Sequence, residues 1–142
     1  MNFAKNISLP FARFALFVIY FWFGLLKVIG ESPASSMVLK LFSNTIGLMH
    51  TMSPEIFIIC FGIFEMLIGL LFLIPQYTTL AIVFFVLHIL TTTLPLLFLP
   101  DMVWTNMFVP TLEGQYIVKN LALIACVIFI YGNTPVKNNV TI

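Results

Sequence analysis

The chain has 142 residues, of which 61% are hydrophobic and only 8% charged, and its net charge is +1. Soluble domains carry roughly 25% charged residues, so this composition excludes an ordinary soluble domain and favours an integral membrane protein. The sequence contains no basic run, which argues against nucleic-acid binding. At about 20 residues per helical span, the length accommodates four spans. The apolar runs are continuous rather than alternating, which argues against a transmembrane β-barrel.

The first predicted span covers residues 11–29. It is too long for the core of a signal peptide, and it ends in Lys27 rather than in a small-residue cleavage site. One stripe of this helix, with spacings of 7, 4, 3 and 4 residues, carries Arg13, Tyr20, Gly24, Lys27 and Glu31. Lys27 can therefore either extend to the headgroups or join a buried polar cluster.

The connection at residues 30–53 contains a predicted amphipathic helix. Its apolar face, at helical spacing, consists of Val38, Leu41, Phe42, Ile46 and Met49. Such a helix lies on the membrane surface or folds over the transmembrane helices as a lid.

The second predicted span, residues 55–74, carries a carboxylate near its middle. Gly62, Glu65 and Gly69 are spaced i, i+3, i+7 and so share one helix face. Small residues on that face allow a neighbouring helix to approach closely. A carboxylate at this depth needs a partner, and His88 and Lys119 are the candidates.

The third predicted span, residues 78–99, follows a very short turn, so it should run antiparallel to the second. One stripe of it carries His88, Thr91, Thr92 and Pro95. Pro95 should kink the helix or leave a carbonyl without its donor, and the neighbouring threonine hydroxyls can then supply one.

The fourth predicted span covers residues 112–132. Thr111 is its predicted N-cap, and Glu113 in the first turn interacts favourably with the helix dipole. Gln115, Lys119, Ala122 and Cys126 form one stripe, with Asn120 beside it. In the preceding connection, Trp104 is placed as an interfacial aromatic anchor.

These elements predict an all-α integral membrane protein with a single domain, residues 1–142. The predicted architecture is an antiparallel four-transmembrane-helix bundle with an amphipathic outer helix between spans one and two. If the polar stripes face inward together, they form a buried polar cluster, a candidate ligand site, made of Lys27, Glu65, His88, Lys119, Gln115, Asn120 and Thr92. The candidate gating or rim residues are Glu31, Glu113 and Trp104.

The sequence carries no metal-ligand spacing and no dinucleotide, phosphate-loop or hydrolase motif. No metal and no intrinsic cofactor are therefore predicted, and no catalytic residue is assigned. The distribution of Lys5, Arg13 and Lys137 against Lys40 predicts that both termini are cytoplasmic.

Four segments resemble one family. Residues 21–27 contain W-x-G-x-x-K, and residues 62–69 contain G-x-x-E-x-x-I-G. Residues 90–95 are rich in threonine and end in proline, and residues 113–121 surround Lys119. Together they resemble the DoxX-like membrane proteins, with the YkgB-like, reactive-chlorine-resistance branch the most similar.

The resemblance implies a four-helix protein of the bacterial inner membrane with signature positions Lys27, Glu65 and Lys119. Some members of the family are linked to quinone-coupled sulfur oxidation or to oxidant resistance. The first functional hypothesis is therefore an accessory membrane subunit of a redox or oxidant-defence system. In it, lysine and His88 would hydrogen-bond a quinone carbonyl, Glu65 would move a proton, and a redox partner protein would supply electrons.

Two other classes of function stay open. The same cluster could serve a small-solute or proton-coupled transporter. The lack of an internal repeat argues mildly against this, although a homodimer would supply a second half. Alternatively, the chain is a scaffolding protein embedded in the lipid bilayer, whose buried ion pair only fixes the register of its helices.

Overall fold

The computed structural model describes residues 2–45 and 52–134, which are mostly helical. The helices in these ranges are α1 Asn2–Val28, α2 Ser35–Asn44, α3 Pro54–Leu73, α4 Thr78–Thr93, α5 Pro95–Phe98, α6 Pro100–Val103 and α7 Leu112–Asn133. A 3-10 turn, Pro75–Tyr77, joins α3 to α4. A hairpin of two short antiparallel strands, β1 Trp104–Asn106 and β2 Val109–Pro110, precedes α7.

Within the described ranges, four helices are long and apolar enough to cross a membrane: Asn6–Val28, Pro54–Leu73, Pro75–Phe98 and Leu112–Asn133. The chain is therefore mostly helical with four candidate spans, which is compatible with the predicted all-α fold apart from the short hairpin and indicates a multi-pass membrane protein. The first helix begins at Asn2 rather than at residue 11. Hydropathy marks only the apolar part of a helix, whereas the backbone hydrogen bonding here continues through the polar residues before it.

The predicted helix between the first two spans is present as α2. Its Phe42 is buried against Phe57 of α3, with ring centroids 4.6 Å apart, while Lys40 is exposed. The described part of this helix is therefore amphipathic. Ile46 and Met49, the last two predicted members of its apolar face, lie outside the described residues.

Helices α1 and α3 contact each other through their backbones. A Cβ added at Gly24 would lie 2.5 Å from the carbonyl oxygen of Gly62, and one added at Gly62 would lie 2.7 Å from the carbonyl oxygen of Gly24. Further along α3, Gly69 faces the backbone of Phe17 and Phe21. The close approach predicted for the glycine face of the second span is thus confirmed, because no side chain separates the helices there.

The third span is interrupted at Leu94, between α4 and α5, as Pro95 predicted. Proline has no N–H to continue the helical ladder. The Thr91 carbonyl, to which residue 95 would donate in a continuous α-helix, accepts instead from the N–H of Leu94 at 3.3 Å. The three threonine hydroxyls donate to carbonyls three residues earlier, Thr91 to His88, Thr92 to Ile89 and Thr93 to Leu90.

Helix α7 starts with the predicted cap. The Thr111 hydroxyl accepts from the N–H of Gly114 at 3.1 Å and donates to the carbonyl of Met102 at 2.6 Å. The buried face of α7 consists of Gly114, Ile117, Val127 and Ile130. Val127 and Ile130 of this face complete a core to which α1, α3 and α4 contribute Leu16, Tyr20, Ile68, Leu71, Phe72, Ala81, Phe85 and Ile89.

Candidate functional site

Glu65 lies at the centre of a buried ionic network that joins three helices. Its Oε2 accepts a hydrogen bond from Lys27 Nζ at 2.6 Å, and its Oε1 lies 2.8 Å from His88 Nε2. The residues are 5% (Glu65), 5% (Lys27) and 7% (His88) exposed. The structure therefore brings together three residues of the predicted cluster and gives both carboxylate oxygens a partner.

The glycine contact explains why Lys27 and Glu65 meet. Each residue follows its glycine by three positions, Lys27 after Gly24 and Glu65 after Gly62. The Cα–Cβ bonds of a helix tilt toward its N-terminus, so each side chain leans back over its own glycine. Because the two glycines touch, the two side chains converge, and snorkelling of Lys27 to the headgroups is excluded by its burial.

Tyr20 extends the network beyond the imidazole. Its hydroxyl lies 3.1 Å from His88 Nδ1. A carboxylate can only accept hydrogen bonds, so Nε2 of His88 must carry the proton that faces Glu65. In the neutral tautomer Nδ1 then accepts from the Tyr20 hydroxyl. With His88 in that neutral tautomer, the hydrogen bonds run in one direction from Tyr20 through His88 to Glu65, and Lys27 donates to the same carboxylate from the other side.

Aromatic rings enclose this chain. Phe61 stacks on the His88 imidazole with centroids 5.4 Å apart and an interplanar angle of 18°. The Lys27 ammonium lies 5.7 Å from the centroid of the same Phe61 ring. The Tyr20 ring packs edge-on against His88 at 5.0 Å. Apolar walls of this kind lower the local dielectric and strengthen the interactions of the charges inside.

A second polar contact joins α4 to α7. Asn120 Nδ2 donates to Thr92 Oγ1 at 3.4 Å, about one helical turn beyond His88 along α4. Both residues belong to the predicted cluster, and both are half-buried. They link the helix that carries His88 to the last span.

The structure leaves Lys119 and Gln115 on the outer surface of α7. The Lys119 ammonium lies 5.5 Å from the centroid of the Tyr116 ring. Its position follows from the rotation of the helix, since Lys119 is two residues, or about 200°, from the buried Ile117. Of the two candidate partners for Glu65, the structure therefore pairs His88 with it and not Lys119.

The three predicted rim residues lie outside the network. Glu31 is exposed just after α1, Glu113 is half-buried in the first turn of α7, and Trp104 is half-buried at the start of β1. Their role as a rim or gate stays a prediction.

Two polar side chains were not among the predicted site residues, although the first-span stripe contains both. One is Tyr20, described above. The other is Arg13, which is 6% exposed and donates to the Phe72 carbonyl at 2.9 Å and to the hydroxyls of Thr78 and Thr134, each at 2.7 Å. The helical spacing that puts Arg13 and Tyr20 on the same stripe as Lys27 is the sequence signal that identifies these two residues.

An apolar groove of about 400 Å³ lies between α4 and α7. Its walls consist of Ile82, Phe85, Val86, Ile89, Leu90, Ile124, Val127, Ile128 and Tyr131. Phe85 packs against the Tyr20 ring, so the groove adjoins the enclosed network. In the part of the chain that the structure describes, no group of three or more His, Cys, Asp or Glu side chains could hold a metal ion.

Comparisons with protein-family models, with curated proteins and with solved structures find no match to this chain. The geometry of the network and the groove therefore carries the functional argument.

Proposed function

We propose that the chain is a DoxX-like protein of the bacterial inner membrane, folded as an antiparallel bundle of four transmembrane helices with both termini cytoplasmic. The Arg13 hydrogen bonds support this arrangement, because they join the first half of α1 to the end of α3, the start of α4 and the end of α7. The contact between Thr111 and Met102 ties the start of α7 to α6, after the third span has ended. Both sets of contacts can form when each span runs in the opposite direction to the one before it.

In this membrane the protein acts as the proton-handling accessory subunit of a redox or oxidant-defence system. The observation that carries the proposal is the buried chain of hydrogen bonds from Tyr20 through His88 to Glu65, with Lys27 on the opposite oxygen. Ionisable groups inside a membrane are costly and are typical of proton or substrate pathways. Here they are held by three different helices around a single carboxylate.

The geometry permits a defined proton transfer. The neutral His88 tautomer has no proton on Nδ1, so when the Tyr20 hydroxyl turns aside, Nδ1 takes up one proton from water. Glu65 then lies against the resulting imidazolium and stabilises its charge. Transfer of that proton to an oxygen of the reduced quinone returns His88 to the neutral tautomer and restores the starting hydrogen bonds. The chain itself supplies no electron carrier in this scheme, so a redox partner protein supplies the electrons.

The molecule that accepts those electrons is a quinone in this proposal. The apolar groove between α4 and α7 suits an isoprenoid tail, because its lining residues are almost entirely aliphatic or aromatic. Thr92 and Asn120 lie about one turn beyond Ile89 and Ile124 of the groove, and the second N–H of the Asn120 amide is available to a quinone carbonyl. The outward Lys119 and Gln115 are then available to the partner protein or to a second copy of the chain.

The docking part of the proposal is tested on protein extracted gently from its own membranes. Native mass spectrometry and analysis of an organic extract should find a stoichiometric quinone in the wild type. Ile124→Trp, which fills the groove, should lose it, whereas Ile63→Trp, at an exposed position of α3, should retain it. Absence of quinone from the wild type, or equal retention in both variants, would contradict quinone docking.

A structural role is the second candidate, and one observation favours it. Among the described residues, no buried side-chain nitrogen or oxygen lacks a hydrogen-bond partner, so the network is closed. A buried ion pair of this kind needs no function beyond fixing the register of the helices.

The double variant Lys27→Met/Glu65→Leu separates the two candidates, because apolar replacement of a buried pair is often neutral or stabilising. Its activity is measured as growth of a strain lacking its own copy under hypochlorous acid. A folded but inactive double variant supports proton handling, and a folded, active one supports the structural role.

A further inference from the structure

Arg13 is a buried cation at one end of the molecule. Its guanidinium donates to one backbone carbonyl and two threonine hydroxyls, all of them uncharged acceptors. The hydroxyls of Thr78 and Thr134 in turn donate to the carbonyls of Pro75 and Ile130. Arg13 thereby holds three helix ends together and uses three of its five N–H groups.

No side-chain carboxylate of the chain neutralises this cation. The sequence has five Asp and Glu residues, and all five lie in the ranges that the structure describes: Glu31, Glu55, Glu65, Asp101 and Glu113. Only Glu65 takes part in a salt bridge among these ranges, and its partners are Lys27 and His88. The C-terminal ends of α3 and α7 contribute partial negative charge, about half an elementary charge each. Among the described residues, the two remaining N–H groups of Arg13 have no acceptor.

Arg13 also lines an open cavity. This cavity has a volume of about 320 Å³, and its other walls are the apolar residues Leu9, Pro10, Leu73 and Pro75. It lies level with the end of α3 and the start of α4, which the proposed membrane placement puts at the boundary between hydrocarbon and headgroups. A buried cation with spare donors beside apolar walls at this level matches the two parts of a phospholipid.

We propose that this cavity binds an anionic phospholipid of the cytoplasmic leaflet, with its phosphate on Arg13 and its glycerol and upper acyl chains against the apolar walls. Arginine presents its N–H groups in a fixed fork that matches phosphate oxygens. The lipid supplies the counter-charge that no Asp or Glu side chain provides to Arg13, and it locks the ends of α3, α4 and α7 around α1. The site is separate from the Glu65 network and does not depend on its function.

The test uses the full-length protein in detergent, titrated with phosphatidylglycerol, with zwitterionic phosphatidylcholine or with inorganic phosphate. Native mass spectrometry measures the retained lipid, and thermal unfolding measures the stabilisation. Phosphatidylglycerol should be retained and should raise the Tm. Phosphatidylcholine and inorganic phosphate should be retained less and should raise the Tm less. Arg13→Gln should retain phosphatidylglycerol about tenfold or more weakly. Lys119→Gln, which removes an equal charge from the surface of α7, should retain it as the wild type does.

A second pair of variants leaves Arg13 in place, in case Arg13→Gln does not fold. Leu73→Trp fills the cavity and should lose the lipid, while Leu70→Trp, at an exposed position of the same helix, should keep it. Equal retention of the two lipids, or equal retention by the Leu73 and Leu70 variants, would overturn the proposal. Stabilisation by inorganic phosphate equal to that by lipid would also overturn it, because the site would then take free phosphate.

Discussion

The α1–α3 interface and the α4–α7 interface of this protein are built in opposite ways. At the first, glycine backbones touch and a salt bridge between Lys27 and Glu65 closes over them. At the second, an apolar groove of about 400 Å³ runs beside the contact between the helices, and the Asn120–Thr92 hydrogen bond is long at 3.4 Å.

The contrast between the two interfaces indicates that the buried ionisable groups are held at the tight interface, whereas space for a ligand lies at the loose one. A close backbone contact holds a buried carboxylate in one geometry, because the glycines cannot be displaced without moving both helices. A looser contact leaves a space that a ligand can enter. We therefore expect substitutions at the α1–α3 interface to change stability most, and substitutions on α7 to change ligand binding more than stability.

The largest effect is expected from Glu65→Leu, which leaves the buried Lys27 ammonium without its counter-charge. Breaking a buried pair in this way costs about 3–5 kcal/mol of unfolding free energy. Titration with a denaturing detergent, followed by helical circular dichroism, measures it. The double variant Lys27→Met/Glu65→Leu should recover most of the loss, and a double variant as unstable as the single one would show that the ion pair is not the cause.

A smaller but still large effect is expected from Gly62→Ala. The new Cβ would lie 2.7 Å from the Gly24 carbonyl oxygen, so both helices must shift, and overpacking of this kind costs roughly 1–3 kcal/mol. Gly132→Ala in α7 is the matched control, because a Cβ there meets nothing within 4 Å. That substitution should be neutral or stabilising by up to about 1 kcal/mol, as helix propensity predicts. Similar unfolding curves for the two alanine variants would refute the close contact.

These two expectations show what the sequence could and could not predict. The spacing of Gly62, Glu65 and Gly69 is enough to identify the contact face of α3. Small residues allow a neighbouring helix to approach closely, and a carboxylate on the same stripe of an apolar helix needs a partner from that neighbour. The four spans also follow from hydropathy, with boundaries for the last three close to those observed. The hairpin at β1 and β2 was not predicted, since strands of three and two residues show no periodicity.

The sequence did not determine which face of α7 packs against the other helices. Its polar stripe, Gln115 and Lys119, was expected to face inward because membrane-buried charges usually do. In the structure Ile117 and Val127 occupy the inward face instead. Because α7 also carries apolar residues away from that stripe, periodicity alone does not determine which side packs, and the shape of neighbouring side chains decides it.

A moderate effect is expected from Thr111→Ala, which removes the cap of α7 and the hydrogen bond to Met102. Loss of an N-cap costs about 1 kcal/mol. Thr105→Ala, at an exposed position of β1, is the control and should leave unfolding unchanged. The two variants are compared by the same detergent titration, and an unchanged midpoint for Thr111→Ala would contradict the structural role of the cap.

The smallest effect on stability is expected from Lys119→Gln. Its ammonium is exposed and contacts only the Tyr116 ring among the described residues, so the change should stay within about 0.5 kcal/mol. The same substitution at Lys27 should cost several times more. A large loss of stability in Lys119→Gln would indicate that Lys119 interacts with another group at the surface of α7. It would also contradict the expected difference between the two interfaces.

The proposed proton handling at the α1–α3 interface is tested most directly by infrared difference spectroscopy of the protein in lipid nanodiscs, recorded as bound quinone is reduced. If His88 takes up and releases a proton beside Glu65, imidazole bands and a shift of the Glu65 carboxylate band should appear on reduction. The carboxylate shift should vanish in Glu65→Gln, and the imidazole bands in His88→Asn. A difference spectrum that is unchanged in Glu65→Gln, with the quinone still reduced, would show that Glu65 takes no part in proton handling.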